Sequence, residues 1–451
     1  MQRFRKGAAA AVVSIGATLG LSFGAGASTS PHAAAPPSVV LWSITQPSSQ
    51  QRVVDNLISK FNSSYPGGGH VSIVWLGGEV WKTKEAVAMS AHQPPAMFWT
   101  YGGSLLDQYV QAGQVADLSP SLDADPAWKK AYVAKHVFDL ASYHGNIYAI
   151  PATGPDFEIM WQNKAALEKA HVAASPATWT QLERDFTGLK KAGITPVAIA
   201  GNDVWPEMIW MQYLTLRYGG PGVFDKINAL TPGSWNNPAI IKAAQTVQQM
   251  ARANDFESGF DAVTFASGNA DRLLASGEAG FQAQLYYDEA NMRVYDPAFA
   301  ESPDYSAFNF PSVAGGPAAY EGDLVGQPAE YIALSSHLSS AAMKESLAYV
   351  KYETTSQQYN VNFLEDNGYT PITQAGANYL LSKKVPQGSL LYSLFKIGTE
   401  APYIQPYWDQ DLPSSVITPM LTNISEVFNL TITPQQFVSN LDKVLAAQHK
   451  S

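Results

Sequence analysis

Apolar positions after residue 38 alternate between two periods. SVVLWSI (38–44) is a short β-rich run; in SSQQRVVDNLISKFNSSYPGGG, Val53, Val54, Leu57, Ile58 and Phe61 recur at helical spacing until Pro66 and three glycines stop the pattern. VSIVWL (71–76) reads as a second strand, a polar helix follows from Lys82 to Met89, and AMFW (96–99) reads as a third strand. This strand, helix, strand, helix, strand order predicts a parallel sheet with crossover helices, hence an α/β N-terminal part.

Past Asn146 the pattern changes. IYAIP (147–151) is a buried-looking strand, and Gly154-Pro155 interrupts the strand-like run that follows, as expected where the chain crosses between domains. Helical spacing then predicts TWTQLERDFTGLKKAG with Thr178 or Thr180 as cap, and PEMIWMQYLTLRYGG ended by its glycines. Further helices are predicted at PAIIKAAQTVQQMARAN, at SSAAMKESLAYVKYET with a serine cap, and at PQQFVSNLDKVLAAQ with Pro434 in its first turn. No internal repeat is visible.

At 451 residues the chain exceeds the size at which one core usually keeps growing, so two domains are expected. Apolar residues make up 46% and charged residues only 15%, so the surface must rely on uncharged polar side chains. A net charge of -10, with no dense Lys/Arg cluster after residue 6, argues against a nucleic-acid partner and suits a neutral ligand. Cysteine is absent, which excludes disulfides, thiolate metal sites and cysteine nucleophiles. The eight histidines form no HExxH pair, and GxSxG, GxxxxGK[ST] and strand-linked GxGxxG are missing, so no metal or cofactor is expected.

Arg3, Arg5 and Lys6 precede an apolar run from Gly7 to Leu21 and the small residues Ala25-Gly26-Ala27, the order of a secretory signal cleaved after Ala27. Retention as an anchor is the alternative, which Ser14, Gly16 and Gly20 weaken. Residues 28–38, rich in Ala, Ser and Pro, read as a disordered leader.

Candidate chemistry lies in aromatic and carboxylate groupings near predicted loops: Trp99 and Tyr101, Trp205 after Asp203, Tyr286-Tyr287-Asp288, and Tyr407-Trp408-Asp409-Gln410. A pyranose offers an apolar C–H face to an aromatic ring and hydroxyls to carboxylates or amides. Each aromatic alone fits a core as well as a contact. Asp156 with Glu158, or Asp409 with Asp411, has the spacing of a glycosidase pair, and also of solvated carboxylates or single acceptors.

Several separated motifs, in order, resemble extracellular solute-binding proteins of family 1, the maltose-binding-protein-like sugar-binding components of ABC importers. They are VVLWSI, PPAMFWTYGGSLLDQYVQAGQVADLSPSLD, HGNIYAIPATGPDFEIMWQNKAAL, PATWTQLERDFTGLKKAGITPVAIAG, LLASGEAGFQAQLYY, NGYTPIT and PYWDQDLP, covering nearly the whole mature chain. The resemblance implies a type II periplasmic-binding-protein-like α/β fold of two lobes, each a sheet flanked by helices, joined by hinge crossings. By analogy residues 39–150 and 330–375 form the N-terminal lobe, and residues 151–329 and 376–451 the C-terminal lobe.

It further implies a non-enzymatic, monomeric, exported protein that captures a mono- or oligosaccharide in the interlobe cleft and delivers it to ABC permease subunits. Trp99 and Tyr101 fall on the first-lobe rim, Thr45 and Gln46 after the opening strand, and Asp156 near the hinge. Trp205, Tyr286, Tyr287 and Trp408 take second-lobe aromatic positions, with Asp203 and Asp409 as hydroxyl acceptors. Gln327 and Glu330 stand where the family usually has glycines. Pro95-Ala96-Met97 lacks the family's aspartate, and no lipid-anchor cysteine exists, so a periplasmic, membrane-held or released protein is expected. The competing readings are a secreted glycoside-active enzyme using a carboxylate pair, and a sensing subunit docked on a membrane receptor.

Overall fold

The first three strands of this computed structural model fall on the apolar runs, and the helices between them on the 3.6-residue patterns. The structure describes residues 38–46, 48–66, 68–133, 136–367, 371–384, 386 and 389–448. The expected signal segment (1–27), leader residues 28–37 and part of NGYTPIT lie outside the described residues.

The strands are β1 (Val39–Ile44), β2 (Val71–Leu76), β3 (Met97–Thr100), β4 (Ser142–Tyr143), β5 (Asn146–Ile147) and β6 (Ala149–Thr153). They continue as β7 (Asp156–Asn163), β8 (Thr195–Ala198), β9 (Ala279–Leu285), β10 (Tyr305–Phe308), β11 (Leu324–Gln327), β12 (Glu330–Leu334) and β13 (Ile404–Gln405).

The first sheet has the order β2-β1-β3-β12-β6. Strands β1, β2 and β3 are parallel, with Leu41 opposite both Ile73 and Met97, as the crossover pattern predicts. Strand β12 then enters antiparallel beside β3 and pairs with β6 on its other edge, making the sheet mixed. It arrives from the second sheet by a short crossing rather than a helix, so nothing forces it parallel. The helix Ser48–Ser64 buries the five predicted apolar residues. The polar helix spans Gly78–Ser90, starting before Lys82.

The second sheet has the order β13-β11-β7-β9-β8, with β10 also pairing β7. All eight residues of β7 are buried, so polar Asp156, Glu158, Gln162 and Asn163 are carried into the interior and must find partners there. Asn163 does so by capping the helix Lys164–Lys169, accepting from Ala166 N at 3.0 Å. The cap of the helix Trp179–Lys191 is Thr178, whose hydroxyl accepts from Gln181 N while Gln181 Oε1 accepts from Thr178 N, a reciprocal capping box.

The chain passes from Thr153 in the first sheet through Gly154 and Pro155 to Asp156 in the second, and returns from Gln327 through Pro328 and Ala329 to Glu330. The two crossings touch. Gly154 has φ +111°, and a Cβ there would stand 2.8 Å from Ala329 Cα, so the close approach requires glycine. A third passage runs from the helix Leu390–Glu400 to β13, and that helix's Phe395 shares a cluster with Leu364, Ala377 and Leu380.

Candidate functional site

Crevices at the carboxyl ends of strands are where open α/β sheets take ligands. On the first sheet, that edge carries Gln46 after β1, Trp99 and Tyr101 at the end of β3, Thr153 ending β6 and, antiparallel to them, Glu330 opening β12. Trp81, Trp99 and Tyr101 form an edge-to-face triad: ring centroids are 5.0 Å apart for Trp81–Trp99 and 4.5 Å for Trp99–Tyr101. Trp99 is only 5% exposed, its area largely consumed by Leu76 and Trp81, whereas Tyr101 stays half-buried. Tyr101 is thus the more exposed of the two rings. Behind it, Gln46, Trp99, Thr153 and Glu330 help line a cavity of about 30 Å³, room for a water or two and no more. Thr45 is exposed, with its N–H donated to the Leu76 carbonyl.

The glycines after Tyr101 open a helix. Gly102 caps the helix Gly103–Gln111 with φ 78° and ψ -150°, a conformation essentially reserved for glycine. The next residue binds across the molecule: Ser104 Oγ donates to the Asp411 carbonyl at 2.6 Å, and Ser104 N to Asp411 Oδ1 at 3.4 Å. Asn228 donates to the other oxygen of that carboxyl. Burial, followed by the repulsion of Asp107, pushes Asp411 up to about 7, and the Ser104 bond restrains it. Both carboxyl oxygens of Asp411 are thereby held by donors of the protein itself.

A row of buried acids occupies the two crossings. Glu330 Oε2 accepts from the Thr153 hydroxyl at 2.6 Å; burial raises its carboxyl to about 6, against the restraining bonds of Thr153 and Trp99. Asp156, opposite Gln327 in the β7–β11 ladder, is raised well above the usual range by burial and then by the Glu330 charge. Glu158, two residues on and so on the same face, is raised by burial and then by Asp156, with Asp288 and Asp409 adding to it. Tyr407 donates to Glu158 Oε1 at 3.1 Å. Gln327 Nε2 donates to Gln410 Oε1 at 2.7 Å. No lysine, arginine or histidine is among the groups that set these three carboxyls.

The second sheet's edge contributes Asp203 and Trp205, before and at the start of the helix Trp205–Gly219. Between them Val204 has φ +63°, a genuine outlier for a β-branched residue and the kind of strain that gathers at working sites. Trp205 is half-buried, edge-on to Phe265 at 5.2 Å, and exposed Asp203 accepts from Phe265 N at 2.6 Å. Tyr287 and Asp409 are half-buried, and their charges act on Tyr407 and Glu158 respectively, placing them beside the acid row.

Two expected contacts are core residues. Trp408 is fully buried, 5.1 Å from both Phe224 and Trp235, because the short helix Trp408–Asp411 turns it inward. Tyr286 is fully buried and stacked on Phe157 at 4.6 Å. The residues gathered at the crossings are Trp99, Asp156, Gln327, Glu330 and, nearby, Tyr287 and Asp409. The contacts of Asp203 and Trp205 lie with Phe265 instead. Sequence reasoning passed over Thr153 and Trp81, which carry no local signal, and treated Glu158 only as half of a catalytic pair, although its alternation with Asp156 places both on one strand face.

The family model described as bacterial extracellular solute-binding protein matches residues 44–360, well over half of the chain. The chain belongs to this family. An uncharacterized ABC transporter extracellular-binding protein of Pyrococcus horikoshii is 25% identical over 276 residues, 58% of each chain. A probable sugar-binding periplasmic protein of Rhizobium meliloti is 29% identical over 143 residues, 32% of this chain and 33% of that one. The alignments therefore span a little over half and a third of the lengths of these relatives. Among solved structures, a chitin oligosaccharide binding protein superposes with TM-score 0.79 at 18% identity, covering 92% of this chain and 100% of that one. A Streptococcus pneumoniae solute-binding protein in complex with the blood group A-trisaccharide gives 0.71 at 17%, covering 91% and 100%. At these identities the superpositions establish the fold: this bacterial extracellular solute-binding protein is a two-lobed α/β molecule. Among its described residues no helix is long and apolar enough to cross a membrane, and no group of three or more His, Cys, Asp or Glu could hold a metal.

Proposed function

We propose that this bacterial extracellular solute-binding protein captures a mono- or oligosaccharide between its lobes, without turning it over, and presents it to the permease of an ABC importer. The observation that carries this reading is the pairing of a half-buried ring, Tyr101, with a row of buried hydrogen-bond acceptors at the crossings. A sugar's C–H face and hydroxyls ask for that combination. The relatives named as sugar-binding and the superposed proteins that take oligosaccharides support it.

The lobes meet at the crossings, so closure around a ligand would shift a population that binds it better. The first lobe comprises residues 39–153, three more than the expected 39–150 because β6 runs on to Thr153, together with the stretch from 330; we place the third crossing between Glu400 and Ile404 rather than at 375, because Ala377, Leu380 and Phe395 pack with Leu364. The protein acts outside the cytoplasm as a monomer, exported by its N-terminal segment. A thermal-shift screen against saccharides, peptides and polyamines tests the reading: a saccharide that binds only the folded state raises the melting temperature by mass action. A shift with peptides alone would overturn it.

A further inference from the structure

The acid row at the crossings has an imbalance that a neutral sugar would not correct. Asp156 Oδ1, Glu158 Oε2 and Gln327 Oε1 are buried with no hydrogen-bond partner among the described residues. Their residues are 4%, 1% and 1% exposed. Asp156 and Gln327 face each other across the β7–β11 ladder, and Glu158 follows Asp156 on the same face of β7. All three open positions are acceptors. Gln327 gives an amide N–H to Gln410, and its carbonyl oxygen is the atom left without a partner among the described residues.

An unsatisfied buried acceptor costs about 1–3 kcal/mol, and a carboxylate without a counter-charge costs more. A sugar hydroxyl brings one donor and also two lone pairs that would face these oxygens. An ammonium brings three donors, no acceptor and the missing positive charge.

We infer that the ligand of the interlobe cleft carries a free amine, an amino sugar with an unacylated amino group, whose ammonium is held by Asp156, Glu158 and Gln327. The inference rests on the saccharide reading above and names the class of saccharide. The groups acting on the row from its neighbours are Glu330, Asp288, Asp409 and Tyr407, all acidic or neutral, so among the described residues no cation acts on Asp156 or Glu158. Burial and mutual repulsion raise both carboxyls, and an ammonium, as the counter-charge they lack, would draw them down again.

Calorimetric titration of the protein at pH 6.5 tests this with a glucosamine trimer, an N-acetylglucosamine trimer, maltotriose and spermidine. The glucosamine trimer should bind about tenfold or more tighter than either neutral trimer. Asp156→Asn should reduce that preference to about threefold or less; the wild-type preference stands as a test even if this variant is unstable. Equal or tighter binding of a neutral trimer would overturn the amine inference and leave the saccharide reading in place. Binding of spermidine with no saccharide would overturn both.

Discussion

Thr153 donates its hydroxyl to Glu330 across 2.6 Å, and with that bond the last residue before one chain crossing holds the first residue after the other. The two are also partners in the β6–β12 ladder. Thr153→Val would remove the donor and leave Glu330 Oε2 buried without it, at a cost of about 1–3 kcal/mol. Because the bond restrains the upward shift of Glu330, the loss should be larger at pH 7.5, where the group is ionised, than at pH 5. Urea denaturation at the two pH values checks this; equal losses would mean the bond does not act on the charged form.

Stability as a whole should fall as pH rises. Burial lifts Glu330 to about 6, Glu353 and Asp411 to about 7, and Glu207 to about 8, all above their values in an unfolded chain. The folded state therefore binds more protons than the unfolded one between about pH 4.5 and 8, and the slope of stability against pH is negative in that window. Each group withdraws on the order of 1 kcal/mol or more by the time it ionises. The melting temperature should be highest near pH 5 and decline to pH 8. A maximum at pH 8 would contradict these assignments.

Trp408 and Tyr101 should separate stability from binding. Trp408→Ala empties a core position between Phe224 and Trp235 and should cost about 3–5 kcal/mol, with ligand affinity little changed in the folded fraction. Tyr101→Ala should do the reverse, weakening saccharide binding about tenfold while the fold is largely kept. Denaturation and calorimetry on both variants would show the pattern, and a Trp408 variant of normal stability would be inconsistent with the packing described.

Gly102→Ala should be severely destabilising. A Cβ there would lie 2.3 Å from the Leu140 carbonyl oxygen, in a backbone conformation that L side chains rarely adopt. A loss of more than about 2 kcal/mol is expected from strain plus clash. At Gly113, φ is also positive but nothing stands within 4 Å of a Cβ, so Gly113→Ala should cost less. Similar losses at the two positions would show that the Leu140 contact is unimportant.

Much of this architecture is legible from periodicity. Val53, Val54, Leu57, Ile58 and Phe61 mark the first crossover helix because one apolar stripe faces one sheet, and Gly154-Pro155 marks the first crossing because that pair breaks a ladder. The antiparallel entry of β12 is not legible, since strand direction depends on where the chain arrives from. For the site, sequence brings the right segments but cannot orient their rings. Tyr407-Trp408-Asp409-Gln410 is one motif, yet its tryptophan is core, its tyrosine holds Glu158 and its glutamine holds Gln327. Which way each side chain faces is set by the turn of a four-residue helix and by Phe224 and Trp235, distant in sequence.

The most direct test of the saccharide reading is a calorimetric titration of the protein with a panel of mono- and oligosaccharides, run beside Tyr101→Ala. At least one saccharide should bind one-to-one with a Kd of about 1 µM or tighter, roughly -8 kcal/mol, and lose about tenfold in the variant. Absence of heat with every saccharide, or tight binding unaffected by loss of the Tyr101 ring, would contradict the proposed cleft.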